Sequence, residues 1–280
     1  MAVSEPRYAL SKRELLSRRD RVWAIFSVNF RQRVGRAFPV TLVVIGMILT
    51  IVPFLITVLT YQTLGRGSSL TLDVFYGPYG NFLLLLFIML LTALVGGGIV
   101  ADDLGSKSIS LYLSRPITLP DYLVAKGAVV AATLSLIAVL PGILGAILAF
   151  VLGYVDGTVA LEAFGAYLAM GILFMATFAT LALFLSSLTE KRAWAASGIF
   201  ALLLMDDVVA DVLHGVSQNV VWLYVSPWED LTCVARALFQ VMSTGDSPNP
   251  YVAFSILLVL IVGLASATFV RLSRMELVTE

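Results

Sequence analysis

The chain has 280 residues, of which 59% are hydrophobic and 13% charged, with 18 acidic and 18 basic side chains. Water-soluble domains carry about 25% charged residues, so the composition excludes an ordinary soluble globule and points to lipid as the solvent. A single cysteine, Cys233, excludes an internal disulfide framework, and a single histidine, His214, excludes a multi-histidine metal site within one chain.

The first 38 residues are basic. Between Arg21 and Phe38, Val22, Ile25, Phe26, Phe30 and Val34 recur at helical spacing, while Arg31, Arg33 and Arg36 lie largely off that stripe. With Trp23 suited to an interface, this predicts an amphipathic helix lying on the inner leaflet. Pro39 is expected to separate it from the first span, because a residue before proline avoids helical geometry. The first apolar run starts only at Val40 and is too long for a cleaved signal peptide.

A helix needs about 20 apolar residues to cross a bilayer. Runs of that length predict spans at Val40–Thr60 (kinked at Pro53), Phe82–Ala101, Ala125–Gly153 (interrupted at Pro141-Gly142), Glu162–Leu185 and Val252–Val270. A further span, from Ala193 to about Leu213, is apolar only as far as Met205 and then meets Asp206, Asp207 and Asp211. No alternating ten-residue segments of the β-barrel type are present.

The expected fold class is therefore an all-α polytopic membrane protein with six transmembrane helices. Lys and Arg in short loops stay cytoplasmic. With both termini inside, only Arg66 and Arg236 of the 18 cations fall outside. This divides the chain into a cytoplasmic N-terminus (1–38), a membrane domain (39–271) and a cytoplasmic tail (272–280). The basic N-terminus is read as a topology and headgroup signal, not a nucleic-acid site. The outer loop 61–81 is rich in glycine and expected to be irregular, with Tyr76 and Tyr79 near headgroups. The outer loop 215–250 contains Val216–Val225 and Leu231–Met242, both too short to span. Gly96-Gly97-Gly98, Gly263-x-x-x-Ala267 and Gly165-x-x-x-Ala169 suggest close helix packing, or, for the triple glycine, a gating hinge.

No phosphate-cradling Gly-x-x-x-x-Gly-Lys-[Ser/Thr] occurs, nor any Ser/His/Asp or Cys/His arrangement. No catalytic residue, metal ligand or cofactor is assigned to this chain, and an energy source would have to come from another. Asp207, Asp211 and His214 share a helix face; with Asp206 they form a candidate cation or substrate contact, against the alternative of a solvated helix end. They also define a rival reading as an intramembrane enzyme.

The inner loop 102–124 is the most structured polar stretch. Ile109, Tyr112 and Leu113 fit a short amphipathic helix that Pro116 ends, and Thr118-Leu119-Pro120-Asp121 fits a helix start. Lys126 is expected to snorkel to the headgroups. The alternative is a passive connection between two helices. The stretch "ADDLGSKSISLYLSRPITLPDYLVAKG" resembles the signature region of ABC-2-type transporter permease subunits. The matching positions are Asp102 or Asp103, then Gly105-Ser106, Leu111-Tyr112-Leu113-Ser114-Arg115-Pro116, and Leu123 with Lys126. The Asp-Asp pair departs from the glutamate usual in that family.

The resemblance implies a permease, most simply an exporter in the plasma (inner) membrane, that pairs with a second permease subunit, identical or not. Separate ATPase subunits holding ATP and Mg would dock on the inner loop and drive it. A complex that remodels a partner protein without moving a solute would use the same loop.

Overall fold

The structure, a computed structural model, describes residues 17–63, 70–108, 117–242 and 247–278. The described residues form helices and connecting turns, with no strand among them. Helix α1 (Arg18–Val34) starts at Ser17, whose hydroxyl accepts from the Asp20 N–H. Helix α2 (Ala37–Thr63) follows after Gly35 and Arg36. The break therefore precedes the expected one at Pro39. Pro39 lies in the first turn of α2, where its missing N–H has no intrahelical partner to lose. Helix α2 runs on through Pro53.

The second apolar run is α3 (Phe82–Gly96) and a short α4 (Ala101–Gly105), separated by a break at residues 97–100. The third is also two helices, α5 (Leu119–Ala138) and α6 (Leu140–Val151), with Pro141 seated in the first turn of α6. Helices α7 (Gly157–Ser187), α8 (Arg192–Ser217), α9 (Pro227–Leu238) and α10 (Pro250–Val278) complete the chain. Two 3-10 helices, Leu72–Gly80 and Val220–Val225, lie in the loops.

Among the described residues, five stretches are long and apolar enough to cross a membrane: Ala37–Thr60, Phe82–Gly105, Leu119–Val151, Gly157–Ser187 and Pro250–Arg274. This is the pattern of a multi-pass membrane protein. The expected crossing over Ala193–Leu213 is one continuous helix, α8, but is not among those five. The core is built around α3, α5 and α7. The apolar window of α3 is 72% buried, whereas that of α10 is 17% buried, which makes α3 central and α10 peripheral.

The two ends of the bundle differ. At one end, Tyr79, Tyr167 and Phe239 pack ring to ring at 5.0–6.1 Å, and the Tyr167 hydroxyl donates to the Phe75 carbonyl at 2.6 Å. Loop 61–81 is thus more ordered than expected where described. Tyr79 is buried in the core instead of lying at headgroups, and Tyr76 accepts from Arg236 Nε at 3.1 Å. The opposite end gathers the cations of α1, α5, α8 and α10. There Arg271 Nε, for one, donates to the Ser187 carbonyl at 2.8 Å. The Gly165 and Gly263 spacings do not mark contacts among the described residues, since a Cβ at either would meet nothing within 4 Å.

Candidate functional site

The basic end is organised by the break in the second apolar run. Three consecutive glycines, Gly96-Gly97-Gly98, followed by β-branched Ile99 and Val100, are poor helix formers. Neighbouring helices also approach closely there. A Cβ at Gly97 would stand 2.7 Å from the Ala196 Cα of α8, and one at Gly98 would stand 2.6 Å from Arg33 Nη1. The triple glycine is thus both a packing surface and a break.

A broken helix exposes backbone groups that must find other partners inside a low-dielectric core. Ser186 of α7 supplies three of the bonds. Its hydroxyl accepts from the Val100 and Ala101 N–H groups at 3.0 Å each and donates to the Gly97 carbonyl at 2.9 Å. One hydroxyl has one proton and two lone pairs, so this serine is fully used. Arg192 Nη2 donates to the Leu94 carbonyl at 3.0 Å, and Arg33 Nη2 donates to the Gly98 carbonyl at 2.5 Å. Side chains from α1, α7 and α8 therefore hold the break in shape.

The acids just beyond the break tie it to two further elements. Asp102 accepts from Arg33 Nη2 at 3.0 Å, joining it to α1. Asp103 Oδ2 lies 2.7 Å from Lys126 Nζ and accepts from the Tyr122 hydroxyl at 2.7 Å, joining it to α5. Lys126 also donates to Asn29 Oδ1 of α1 at 2.8 Å. Its side chain is 1% exposed, so it does not snorkel to the headgroups. It is a buried cation at the junction of three helices. Burial lowers the basicity of the Arg33 guanidinium, and the nearby Arg192 adds to that, while Asp102 opposes it.

The far side of the loop is fixed as well. Thr118 caps α5, its hydroxyl accepting from the Asp121 N–H at 3.4 Å, as the sequence predicts. The Asp121 carboxylate is gripped by Arg18, with Nε at 2.9 and 3.1 Å and Nη2 at 2.7 Å. Helix α1 consequently packs along α5, and its apolar stripe covers protein. Ile25 and Val34 are buried, and Phe26 and Phe30 pack on the core.

Of the docking residues expected from the family resemblance, Asp102, Asp103, Gly105, Ser106, Leu123 and Lys126 fall at this end. Gly105 lies against the α7–α8 turn, where a Cβ would stand 2.7 Å from the Glu190 carbonyl. The Ser106 hydroxyl donates to the Asp102 carbonyl at 2.7 Å. Leu123 packs against the core. Leu111, Leu113, Ser114, Arg115 and Pro116, and the short helix expected around them, lie outside the described residues. Asn29, Arg33, Tyr122, Ser186 and Arg192 carry the site although their residue types alone did not mark them for it. Asn29 falls on the apolar stripe of α1, and Ser186 is a polar residue in a long apolar helix; both positions were a signal.

The second candidate group does not converge in the same way. Asp207 is buried and accepts from the Ser226 hydroxyl at 3.2 Å. Asp211 is exposed, and Asp206 and His214 are half-buried. Among the described residues no group of three or more His, Cys, Asp or Glu side chains is placed to hold a metal. Beside this group, at the start of α9, Ser226 caps the helix and Asp230 is buried. Burial, with Glu229 adding to it, pushes the Asp230 carboxyl up to about 8. Compared with models of known protein families the chain matches none, and no curated protein matches it significantly.

Proposed function

We propose that this chain is the membrane-spanning subunit of an ABC-2-type transporter, an exporter in the plasma (inner) membrane that works as a dimer of permease subunits. ATP is hydrolysed on separate ATPase subunits, which dock on the loop joining α4 to α5. In this arrangement α8 is the sixth crossing, both termini are cytoplasmic, and the basic end of the bundle faces the ATPase.

The observation that supports this reading most is the double anchoring of that loop. On one side Asp102 and Asp103 bind Arg33 and Lys126 next to the break in the second span. On the other, Thr118 and Asp121 fix the start of α5 and hold Arg18. A displacement of the loop is therefore delivered at once to α1, to the break and to the third span. Coupling requires only that the ATPase contact the loop differently in its two states.

The test is co-purification from a gently solubilised membrane, using the wild-type chain and a variant with residues 105–116 scrambled. An ATP-binding subunit that accompanies the wild type and is lost with the variant is the expected result. An ATPase that binds both equally, or none under any of several detergents, overturns the assignment. A reconstituted flux assay with the recovered complex then separates transport from remodelling of a partner protein.

A further inference from the structure

Helix α1 and helix α5 line an open groove of about 600 Å³ at the basic end. That volume lies within the range of small-molecule sites. Its walls are apolar. Among the described residues, α1 supplies Val22, Trp23 and Phe26, and α5 supplies Ala128 and Ala132. Its mouth is cationic, formed by Arg18 and Arg19. Arg18 is held by Asp121, but its side chain remains 70% exposed. Arg19 is exposed and pairs with no carboxylate among the described residues.

We infer that this groove binds one anionic phospholipid, with an acyl chain between α1 and α5 and the phosphate on Arg19 and the free edge of Arg18. Three observations carry the choice of occupant. The first is charge complementarity: two guanidinium groups stand at the lip, and among the described residues no carboxylate lines the groove. The second is the small size of Ala128 and Ala132, which leaves the channel open along α5. The third is Trp23, 66% exposed, with its ring 5.1 Å from that of Phe26. Tryptophan in such a position sits at headgroup level, with its apolar body toward the acyl chains. Basic side chains at an anionic leaflet gain from its surface potential within a Debye length. The site does not depend on the transporter reading; it needs only that this end of the bundle meets a leaflet.

The experiment uses the purified full-length chain in a neutral detergent, supplemented with phosphatidylglycerol or phosphatidylcholine of the same acyl composition. Thermal unfolding and retained lipid, read by native mass spectrometry, are the observables. Phosphatidylglycerol is expected to raise Tm by several degrees more than phosphatidylcholine and to be retained at one per chain. Arg19→Gln, at an exposed position that leaves the fold intact, should remove at least half of that preference. Ala132→Phe, which fills the groove, should remove the retained lipid.

Equal effects of the two lipids on the wild type, or a full preference in both variants, overturns the inference. So does a preference that emerges only after deletion of residues 1–16, because the groove would then belong to the chain's own N-terminal segment. A change in oligomeric mass in Ala132→Phe without loss of lipid would assign the groove to a second copy instead.

Discussion

Lys126 and Asp103 form an ion pair in a place where neither could be tolerated alone. The lysine side chain is 1% exposed and the aspartate 13%. Removing one partner of a buried pair costs about 3–5 kcal/mol, because the other is left charged in a low dielectric. Asp103→Asn should therefore lower the melting temperature sharply in detergent, and the double variant Asp103→Asn with Lys126→Met should recover much of the loss. A double variant no better than the single one would mean that the pair is not the source of the cost.

Ser186 makes a related prediction. Ser186→Ala leaves the N–H groups of Val100 and Ala101 and the Gly97 carbonyl without their bonds, at about 1–3 kcal/mol for each buried group left unsatisfied. Unfolding by denaturant or heat should register the change, whereas Ser197→Ala, at an exposed site of α8, should be near neutral.

Asp230 titrates in the opposite sense from a salt-bridged acid. Its folded-state carboxyl is raised to about 8, against an unfolded value near ~4. The folded protein then holds the proton that the unfolded chain releases. Stability is lost progressively as pH rises from the unfolded to the folded value, and the loss is complete above about 8. Asp230→Asn should be equal to wild type in acid and progressively more stable across that window. A constant difference between the two melting curves at all pH values would remove the titration as its cause.

At the scale of elements, length and hydropathy place the apolar helices well. The runs read as spans fall on helices, the second with its break at residues 97–100, and Pro141-Gly142 does mark an interruption in the third. Periodicity finds α1 but misplaces its end by a few residues. Pro39 dominates a local reading, whereas the chain turns at Gly35-Arg36 and uses the proline to start the next helix. Lys126 is misread for a comparable reason. A lysine one turn inside a span can reach water or a buried acid, and only tertiary packing brings Asp103 and Asn29 to it. The break at residues 97–100 is half legible. Three glycines announce it, but the side chains that stabilise it lie up to 98 residues away in sequence.

The tightness of that break is testable. Gly97→Ala forces a methyl to within 2.7 Å of the Ala196 backbone, an overpacking of about 1–3 kcal/mol. Gly198→Ala, a little further along α8, meets nothing within 4 Å and should be neutral or gain up to ~1 kcal/mol from helix propensity. Equal melting temperatures for the two variants would argue that α3 and α8 are loosely packed at the break.

For the molecule as a whole, charge asymmetry is the feature that sequence conveys best. Arg18, Arg33, Lys126, Arg192 and Arg271 all make their bonds at one end of the bundle, while Arg236 bonds Tyr76 at the other. The positive-inside rule then favours the first of these ends as the cytoplasmic one. The remaining question is α8. In a Cys233→Ser background, Glu190→Cys and Ser217→Cys mark its two ends at exposed positions. A membrane-impermeant thiol reagent added outside intact cells should label Ser217→Cys alone. Labelling of both or neither would mean that α8 does not cross and that the six-span plan fails. The acidic group was less legible than the basic end. Asp207, Asp211 and His214 share a helix face by spacing, yet Ser226 takes up only Asp207.

The grip of Arg18 on Asp121 also constrains how the protein is made. The two residues are 103 positions apart. At synthesis rates of ~5–20 residues per second, α1 leaves the ribosome roughly 5–20 s before its partner exists. Throughout that interval α5, the helix it packs along, is missing, and most of its apolar stripe is left uncovered. Helix α1 thus waits for most of its packing and becomes a structural part of the bundle only when the third apolar segment arrives. Any delay in delivering that segment lengthens the time in which the nascent chain is exposed to misassembly.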